Sequence, residues 1–406
     1  MASEFKISVP DSQISLLKQK LELTRLPDEI DDAGWDYGVP LADIKRLVAR
    51  LRLTRPISRT RWKNGYDWRK HEKQLNDEMP QFTRDIEVDG YGTLNIHYVY
   101  KRSEAKGAIP LLFVHGWPGS FIEARKILPL LTAVEDGKPS FDVVAMSLPG
   151  YGFSEATKKK GFDMPKYAQV GHKLMGALGY DEYVVQGGDW GYMITRTMST
   201  IYGENHVKGW HTNMPYLTPP ADVDPSQYTD DEKAVIEHNK WYHTKGHGYG
   251  VEQSTQPQTL GYNLSDSPVG LLAWIYEKLV TWTDDYAWED DEVLTWISIY
   301  WFSRSGPTAT LRIYYEVTQT LAAMKKAQVQ PPKVTVPTGA SFFPKEIIQA
   351  PLSWAAQELN LVFHAKHEKG GHFAAHEVPD LLVGDLRKMF GKGGPAYGVV
   401  SGKDGS

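Results

Sequence analysis

The chain reads YVVQGGDWGY from Tyr183 to Tyr192, and this decapeptide decides which fold the chain can adopt. Residues 183–186 form an apolar run typical of a buried parallel strand, and a helix-like segment follows from Tyr192. Between them, small residues flank Asp189 and permit a very tight turn from strand to helix. Such a turn lifts the Asp189 side chain clear of the sheet, and the helix start stabilises its carboxylate. The turn therefore predicts a carboxylate nucleophile.

A second interpretation of Asp189 is a plain helix cap, since glycine-rich turns with a capping aspartate are common. The chain contains no Gly-x-Ser-x-Gly sequence, so no serine competes for the nucleophile position at a turn of this kind. It also contains no cysteine, which excludes a thiolate nucleophile, disulfide scaffolds and thiolate metal sites. The nucleophile interpretation is therefore favoured.

Strands and helices alternate on the N-terminal side of this turn. Ile109–Val114 and Phe141–Met146 are continuously apolar, as in parallel strands whose two faces are both covered. The other predicted segments are half-buried strands at 83–88 and 94–100, and helices near 119–132 and 165–178. This order predicts βαβ units and an α/β fold with a mostly parallel central sheet.

The alternation begins near residue 83 and is interrupted after residue 213. Amphipathic patterns at 11–23 and 41–51 predict helices ahead of it, and a helix at 270–280 lies inside the interruption. Strands return only near 333–336 and 361–363. We therefore divide the chain into an N-terminal arm (1–80), the first part of the core (81–213), a helical lid (214–305), the second part of the core (306–392) and a flexible, glycine-rich tail (393–406).

Composition narrows the possible partners. The net charge of −5 is spread along the 406 residues, which gives no electrostatic reason to expect nucleic acid or an anionic membrane. No pattern predicts a secretory signal or a membrane span of about 20 apolar residues. Gly150-Tyr151-Gly152 could open a dinucleotide fingerprint, but Glu155 stands where the third glycine belongs. We expect a cytoplasmic protein that binds a small, mildly polar molecule without a cofactor.

The sequence HGWPG at 115–119 directly follows the strand Ile109–Val114. A loop at this place in an α/β-hydrolase fold supplies one N–H of an oxyanion hole, and the residue after the nucleophile supplies the other. The backbone N–H groups of Trp117 and Trp190 are therefore the predicted pair. His115 itself is expected to be structural.

A histidine that could act as base occurs in GGHFAA at 370–375, after the last apolar strand, where chain order in this fold places the base. The alternatives for His372 are a buried structural histidine and a metal ligand, since His376 would face the same way on a helix. No His-Glu-x-x-His sequence completes a zinc site, so we expect no metal.

The acid that orients His372 should follow the preceding strand. Glu346, in SFFPKE at 341–346, is the candidate, and a surface carboxylate is its alternative role. Glu368 is nearer to His372 in sequence but lies in a charged segment, which usually faces solvent.

With the aspartate turn, HGWPG and GGHFAA present together, the chain resembles the epoxide hydrolases, and specifically the branch with an N-terminal arm that includes microsomal and soluble fungal enzymes. The resemblance covers nearly the whole length, including the stretch from Trp62 to Trp68, His71 and the lid sequence DSPVG at 266–270. It implies an α/β-hydrolase fold with a helical lid, and a homodimer formed through lid and arm. We expect no membrane anchor of the kind that microsomal relatives carry.

The resemblance also implies two lid tyrosines that hold the epoxide oxygen. Their positions here are Tyr249, in GYGVEQ, and Tyr314, in RIYYE, with the adjacent Tyr315 as an open alternative to the latter. Glu346 departs from the aspartate of soluble fungal relatives and is similar to the microsomal pattern. That departure concerns the rate of the hydrolytic step and not its type.

These residues together predict a mechanism. An aspartate that attacks a saturated carbon forms an ester, and phenols can donate to the alkoxide that ring opening produces. We expect Asp189 to open an epoxide with Tyr249 and Tyr314 as acids, and His372 with Glu346 to activate the water that releases a diol. The alternatives are a haloalkane dehalogenase, an epoxide-opening cyclase and a silent receptor for a small ligand on the same fold.

Overall fold

The computed structural model describes residues 2–52, 65–219, 224–329 and 332–406. These residues form one nine-stranded sheet, in the order β1-β2-β3-β5-β4-β6-β7-β8-β9. The strands are β1 (Ser3–Phe5), β2 (Gln81–Val88), β3 (Gly92–Lys101), β4 (Ile109–Val114), β5 (Phe141–Met146), β6 (Tyr183–Gly187), β7 (Val207–Thr212), β8 (Thr338–Phe342) and β9 (Leu361–Lys366). The first three strands pair antiparallel and the other six run parallel to one another, which confirms the mostly parallel sheet.

The centre of the sheet is buried on both faces. β4, β5 and β6 are buried along their whole lengths, which explains why their sequences are continuously apolar instead of alternating. β4 pairs in parallel with both β5 and β6, so the carboxyl ends of β4 and β6 lie side by side. The loops after these two strands, HGWPG and GGDWG, are thereby placed next to each other.

The described residues also form fifteen α-helices. They are α1 (Asp11–Glu22), α2 (Leu41–Arg52), α3 (Trp68–Glu78), α4 (Ala124–Thr132), α5 (Met164–Ala177), α6 (Trp190–Tyr202), α7 (Asp230–Trp241), α8 (Gly248–Thr255), α9 (Pro257–Asp266), α10 (Pro268–Thr281), α11 (Asp290–Trp301), α12 (Arg312–Lys326), α13 (Leu352–Glu358), α14 (Ala374–Glu377) and α15 (Pro379–Phe390). Helices α4 and α15 pack together against the sheet, and so do α5 and α6. None of the helices in the described ranges combines the length and the apolar character needed to traverse a bilayer.

One predicted strand is displaced. The prediction of a strand at 333–336 is wrong, because pairing with β7 and β9 begins only at Thr338. Val334 and Val336 alternate into the core as strand residues would, which explains the prediction. The carbonyl of Thr335 is bonded by the Asn360 side chain instead of a neighbouring strand.

The glycine-rich tail, for which we expected flexibility, is packed against the core. Ala396 and Val400 are buried. At the end of the chain, the N–H of Gly405 donates to Gly107 at 2.7 Å, and the carbonyl of Gly405 accepts from Ser140 at 2.9 Å. These backbone hydrogen bonds attach the tail to the segments that lead into β4 and β5.

The arm packs on the lid. Helix α2 contacts α10 and α11, and the guanidinium of Arg50 donates to Asp291 at 2.7 Å. Further along the arm, the rings of Tyr66 and His71 stack at 5.0 Å. Trp62, which belongs to the sequence resemblance, lies outside the described residues.

Arm packing predicts the effect of one substitution. Leu47 on α2 is fully buried, so Leu47→Ala should leave a cavity and lower the free energy of unfolding by about 2–5 kcal/mol. Leu23 is 84% exposed and serves as the control, because Leu23→Ala removes the same atoms from solvent. Urea denaturation measures both variants, and equal effects would contradict tight packing of the arm.

Candidate active site

The turn at Asp189 depends on close backbone approach. Asp189 adopts φ 52° and ψ −129°, a backbone conformation that residues other than glycine rarely adopt. A Cβ atom at Gly191 would lie 1.9 Å from the carbonyl oxygen of Val114, and one at Gly187 would lie 2.5 Å from that of Gly191. Only glycine fits at these two positions, so the sequence GGDWG permits the turn that presents the Asp189 carboxylate at the start of α6.

The predicted oxyanion donors lie at the Asp189 carboxylate. The N–H of Trp117 donates to Asp189 Oδ1 at 2.7 Å, and the N–H of Trp190 lies close enough to the carboxylate to lower its pKa. Burial raises the pKa of Asp189, whereas the positive charge of His372 and the two N–H groups oppose that rise. The two N–H groups therefore stabilise a negative oxygen in a largely buried environment.

Lid aromatics hold the HGWPG loop in place. The indole N–H of Trp296 donates to the carbonyl of Pro118 at 2.6 Å, and the hydroxyl of Tyr300 donates to that of Gly119 at 2.6 Å. His115 is buried in the same loop, and its ring nitrogen accepts from the N–H of Leu148 at 3.3 Å, which is a structural role. The position of the Trp117 N–H therefore depends on the lid as well as on the sheet.

His372 lies between two carboxylates. Its Nδ1 is 2.6 Å from Glu346 Oε1, and its Nε2 is 3.6 Å from Asp189 Oδ2. Burial lowers the pKa of His372, but the neighbouring carboxylates, Glu346 foremost and then Asp189, outweigh burial and raise the pKa to about 9. In the resting protein His372 is therefore an imidazolium ion-paired with Asp189.

Glu346 is almost fully buried and accepts a second hydrogen bond from the N–H of Ile347 at 2.7 Å. This bond fixes the oxygen that faces His372. Glu368, the rejected alternative, is exposed. His376, the other possible metal ligand, contacts Glu292 at 2.7 Å and stacks on Trp288, away from the Asp189 carboxylate.

Both tyrosines that the family resemblance indicated lie at the Asp189 carboxylate. With Asp189, the side chains of Tyr249 and Tyr314 line one cavity of about 170 Å³. Their ring centroids are 6.0 Å apart, and Tyr249 stacks on Trp117 at 5.2 Å. Tyr315, the alternative to Tyr314, is partly exposed and does not line this cavity.

The cavity wall beyond the tyrosines is mostly apolar or aromatic. It is lined by Trp190, Met193, Met214, Tyr216, Tyr242, Leu321, Ile347 and Ile348, with His243, His247, Ser254 and Thr318 as polar members.

Burial, reinforced by the charge of Asp189, raises the pKa of Tyr314 well above its usual value. Both lid phenols therefore keep their protons at any physiological pH.

Tyr242 is a site residue that the sequence analysis missed. Its hydroxyl lies 2.7 Å from that of Tyr249, whereas the Tyr314 hydroxyl lies near Trp190 and Tyr249 without a hydrogen bond of normal geometry to any described residue. Helix α7, which ends just before Tyr242, is attached to the loop after Glu346 through Asn239 and Gln349. With 22 tyrosines in the chain, no sequence signal distinguishes Tyr242.

Glu123 is the second missed residue. It lies at the end of a 3₁₀ turn, Phe121–Glu123, that leads into α4, so its sequence context indicates only a helix start. Its side chain folds back over Gly119 and lines a small cavity with Asp189 and His372. Burial, and to a lesser extent the charge of Asp189, raises the pKa of Glu123 to about 8, although His372 opposes the rise.

Fold and site together define an α/β-hydrolase with aspartate at the nucleophile position. Residues 2–124 match the family described as "Epoxide hydrolase N terminus", and residues 109–233 match "alpha/beta hydrolase fold". A putative epoxide hydrolase of Stigmatella aurantiaca is 38% identical over 396 residues, which covers 95% of this chain and 84% of that protein. "Epoxide hydrolase 1" of Sus scrofa is 36% identical over 95% of this chain and 88% of its own length.

A solved structure agrees with these matches. The Aspergillus niger epoxide hydrolase superposes with a TM-score of 0.81 at 33% identity, covering 95% of both chains. The chain belongs to the epoxide hydrolase family.

The geometry predicts how the His372 pKa responds to its neighbours. In the Asp189→Asn variant the imidazolium loses one stabilising carboxylate, so we expect the His372 pKa to fall below its wild-type value of about 9. NMR titration of histidine-labelled protein measures both values. An unchanged or higher pKa in the variant would contradict the ion pair.

Unfolding gives a second measurement of the same ion pair. Because the folded pKa of His372 lies above the ordinary 6.5, its contribution to stability is complete below about pH 6.5 and is lost as the pH rises through about 9. The difference in unfolding free energy between wild type and His372→Gln should therefore shrink over this range in urea denaturation. A constant difference would argue against a raised pKa.

Proposed function

We propose that this chain hydrolyses epoxides to vicinal diols through a covalent ester on Asp189. The observation that carries the proposal is the shared cavity in which two phenols, Tyr249 and Tyr314, face the Asp189 carboxylate. A halide leaving group needs no proton, so buried phenols opposite the nucleophile favour an epoxide over a haloalkane. The apolar wall favours a substrate with an apolar substituent next to the ring.

In the first half-reaction the Asp189 carboxylate attacks an epoxide carbon and the carbon–oxygen bond of the ring breaks. Tyr249 or Tyr314 gives its proton to the ring oxygen, which becomes a hydroxyl group. The product is an ester whose carbonyl carbon is Cγ of Asp189. Its carbonyl oxygen stays within reach of the N–H groups of Trp117 and Trp190.

Ester formation changes the protonation of His372. The Asp189 carboxylate is one of the charges that raise the pKa of His372, and esterification removes that charge. The His372 pKa therefore falls, and the imidazolium can return a proton, through solvent, to the phenolate left by the first step. His372 becomes a neutral base only once there is an ester to hydrolyse.

In the second half-reaction His372, oriented by Glu346, takes a proton from water, and the hydroxide attacks Cγ of Asp189. The Trp117 and Trp190 N–H groups stabilise the tetrahedral oxyanion, a contribution worth about 3–4 kcal/mol per donor in comparable sites. Collapse releases the diol and restores the Asp189 carboxylate beside a protonated His372. One water and one epoxide are consumed, and the resting ion pair is regenerated.

We also propose the division of the chain into arm, core and lid. In this division the lid supplies Tyr249 and closes the cavity over Asp189 in the core. The homodimer and the cytoplasmic location expected from the sequence stay predictions.

Isotope labelling tests the covalent scheme. In water enriched in ¹⁸O, the hydrolytic oxygen first enters the Asp189 carboxylate, so repeated turnovers should label Asp189 as well as the diol. Mass spectrometry of the peptide containing residue 189 measures the label, and an incubation without epoxide is the control. Label in the diol alone would replace the covalent scheme with direct attack by water.

Loss of both phenols tests the acid assignment. The double variant Tyr249→Phe, Tyr314→Phe should form neither diol nor ester, and each single variant should lose about 10²–10⁴-fold in the rate of ester formation. Tyr262, a lid tyrosine that is 72% exposed, provides the matched control Tyr262→Phe. Rapid-quench mass spectrometry follows the ester. Retained ester formation in the double variant would refute the assignment, and chloride release from a haloalkane would instead support a dehalogenase.

A further inference from the structure

We propose that Glu123 is a catalytic residue that binds the hydrolytic water molecule beside the Asp189 ester. This inference rests on the proposed function, because it assigns a role within the second half-reaction.

The first observation is a small cavity next to the nucleophile. It measures about 20 Å³ and is lined by Asp189, His372 and Glu123, with the remaining wall formed by the end of β4, HGWPG residues, Gly188, Asn213 and residues 373–375. A polar site needs roughly 10–15 Å³ to hold one water, together with two to four hydrogen-bonding partners. The cavity has room for a single water, and its three ionisable side chains provide the partners.

The second observation concerns the arrangement of the two cavities. Among the residues that the structure describes, only Asp189 lines both the small cavity and the 170 Å³ cavity of Tyr249 and Tyr314. An epoxide on the tyrosine side therefore does not compete for space with a water on the Glu123 side. Once the ester has formed, the water lies against the atom that it must attack, with the base His372 in the same wall.

The third observation is the placement of the Glu123 carboxyl. It is 91% buried, since its relative exposure is 9%, and no lysine or arginine in the described ranges pairs with it. Its Oε1 lies so close to Gly119 that a Cβ atom there would be 1.6 Å away. Because Gly119 has no side chain, the Glu123 carboxyl can occupy this space. A buried carboxyl is costly unless its oxygens are hydrogen-bonded; the backbone N–H of Ser120 supplies one such bond, and a water in the cavity would supply another.

The hydrolytic water needs a hydrogen-bond acceptor besides His372. A water poised for attack has two hydrogens, and only one of them goes to His372. A carboxyl oxygen of Glu123 can accept the other, which turns a lone pair of the water towards Cγ of Asp189. Because burial raises the pKa of Glu123, much of it is uncharged near neutral pH, and its carbonyl oxygen remains an acceptor.

Glu123→Leu and Glu123→Gln test the proposal in single-turnover experiments that separate ester formation from ester hydrolysis. Leucine removes both acceptor oxygens, so hydrolysis should slow by about 10–100-fold while ester formation stays within about twofold, and the ester should accumulate. Glutamine keeps one acceptor and should retain more of the hydrolysis rate than leucine does. Rapid-quench mass spectrometry measures the ester in each variant.

Glu72 provides the matched control, because it is a similarly buried carboxyl that lies in the arm and accepts from the N–H of Val9. Glu72→Gln should leave the ratio of the two rates unchanged. Unchanged hydrolysis in both Glu123 variants, or an equal fall in both half-reactions, would overturn the role of Glu123. Absence of an ester even in wild type would instead overturn the covalent scheme itself, so the two failures are distinguishable.

Discussion

The whole site depends on the burial of one carboxylate at a backbone position that disfavours any side chain. Asp189 combines a positive φ with the start of a helix and two backbone N–H donors. Positive φ at a residue other than glycine costs on the order of 1–3 kcal/mol and persists only where the surroundings enforce it. Here they do, because the backbone packs so closely around the turn that neither Gly187 nor Gly191 has room for a Cβ atom. Strand β4 supplies the carbonyl against which Gly191 packs, so the sheet itself holds the nucleophile in place.

Charge balance is the second consequence of this burial. Asp189, Glu346 and Glu123 surround one imidazole, and three ionised carboxylates around a neutral ring in a largely buried site would be strongly unfavourable. The protein relieves this repulsion by protonating His372 and by raising the pKa of Glu123. Such a site is sensitive to any event that removes one negative charge, and in the proposed mechanism ester formation at Asp189 is such an event. In that mechanism the protonation of His372 is coupled to progress of the reaction.

The sequence predicts the core of this structure well and the lid poorly, for a physical reason. Ile109–Val114 and Phe141–Met146 have the predicted bounds because buried parallel strands leave uninterrupted apolar runs. Asp189, His372 and Glu346 could be nominated because each follows a strand whose end is known to face the site. Tyr249 and Tyr314 came from family resemblance alone, since the sequences of α8 and α12 carry no signal for which face meets the site. Glu123 and Tyr242 were missed because their roles depend on side-chain direction across contacts distant in sequence.

Asp189 forms the partition between two cavities, one aromatic and one barely larger than a water. In the proposed mechanism, the residues that would contact the carbon skeleton of the substrate are therefore almost entirely different from those around the smaller cavity. Substitutions in the larger cavity, such as at Met193 or Leu321, can alter which substrates bind without contacting the residues around the smaller cavity. Because the two cavities are separate, substrate selectivity can change without changing the residues that would hydrolyse the intermediate.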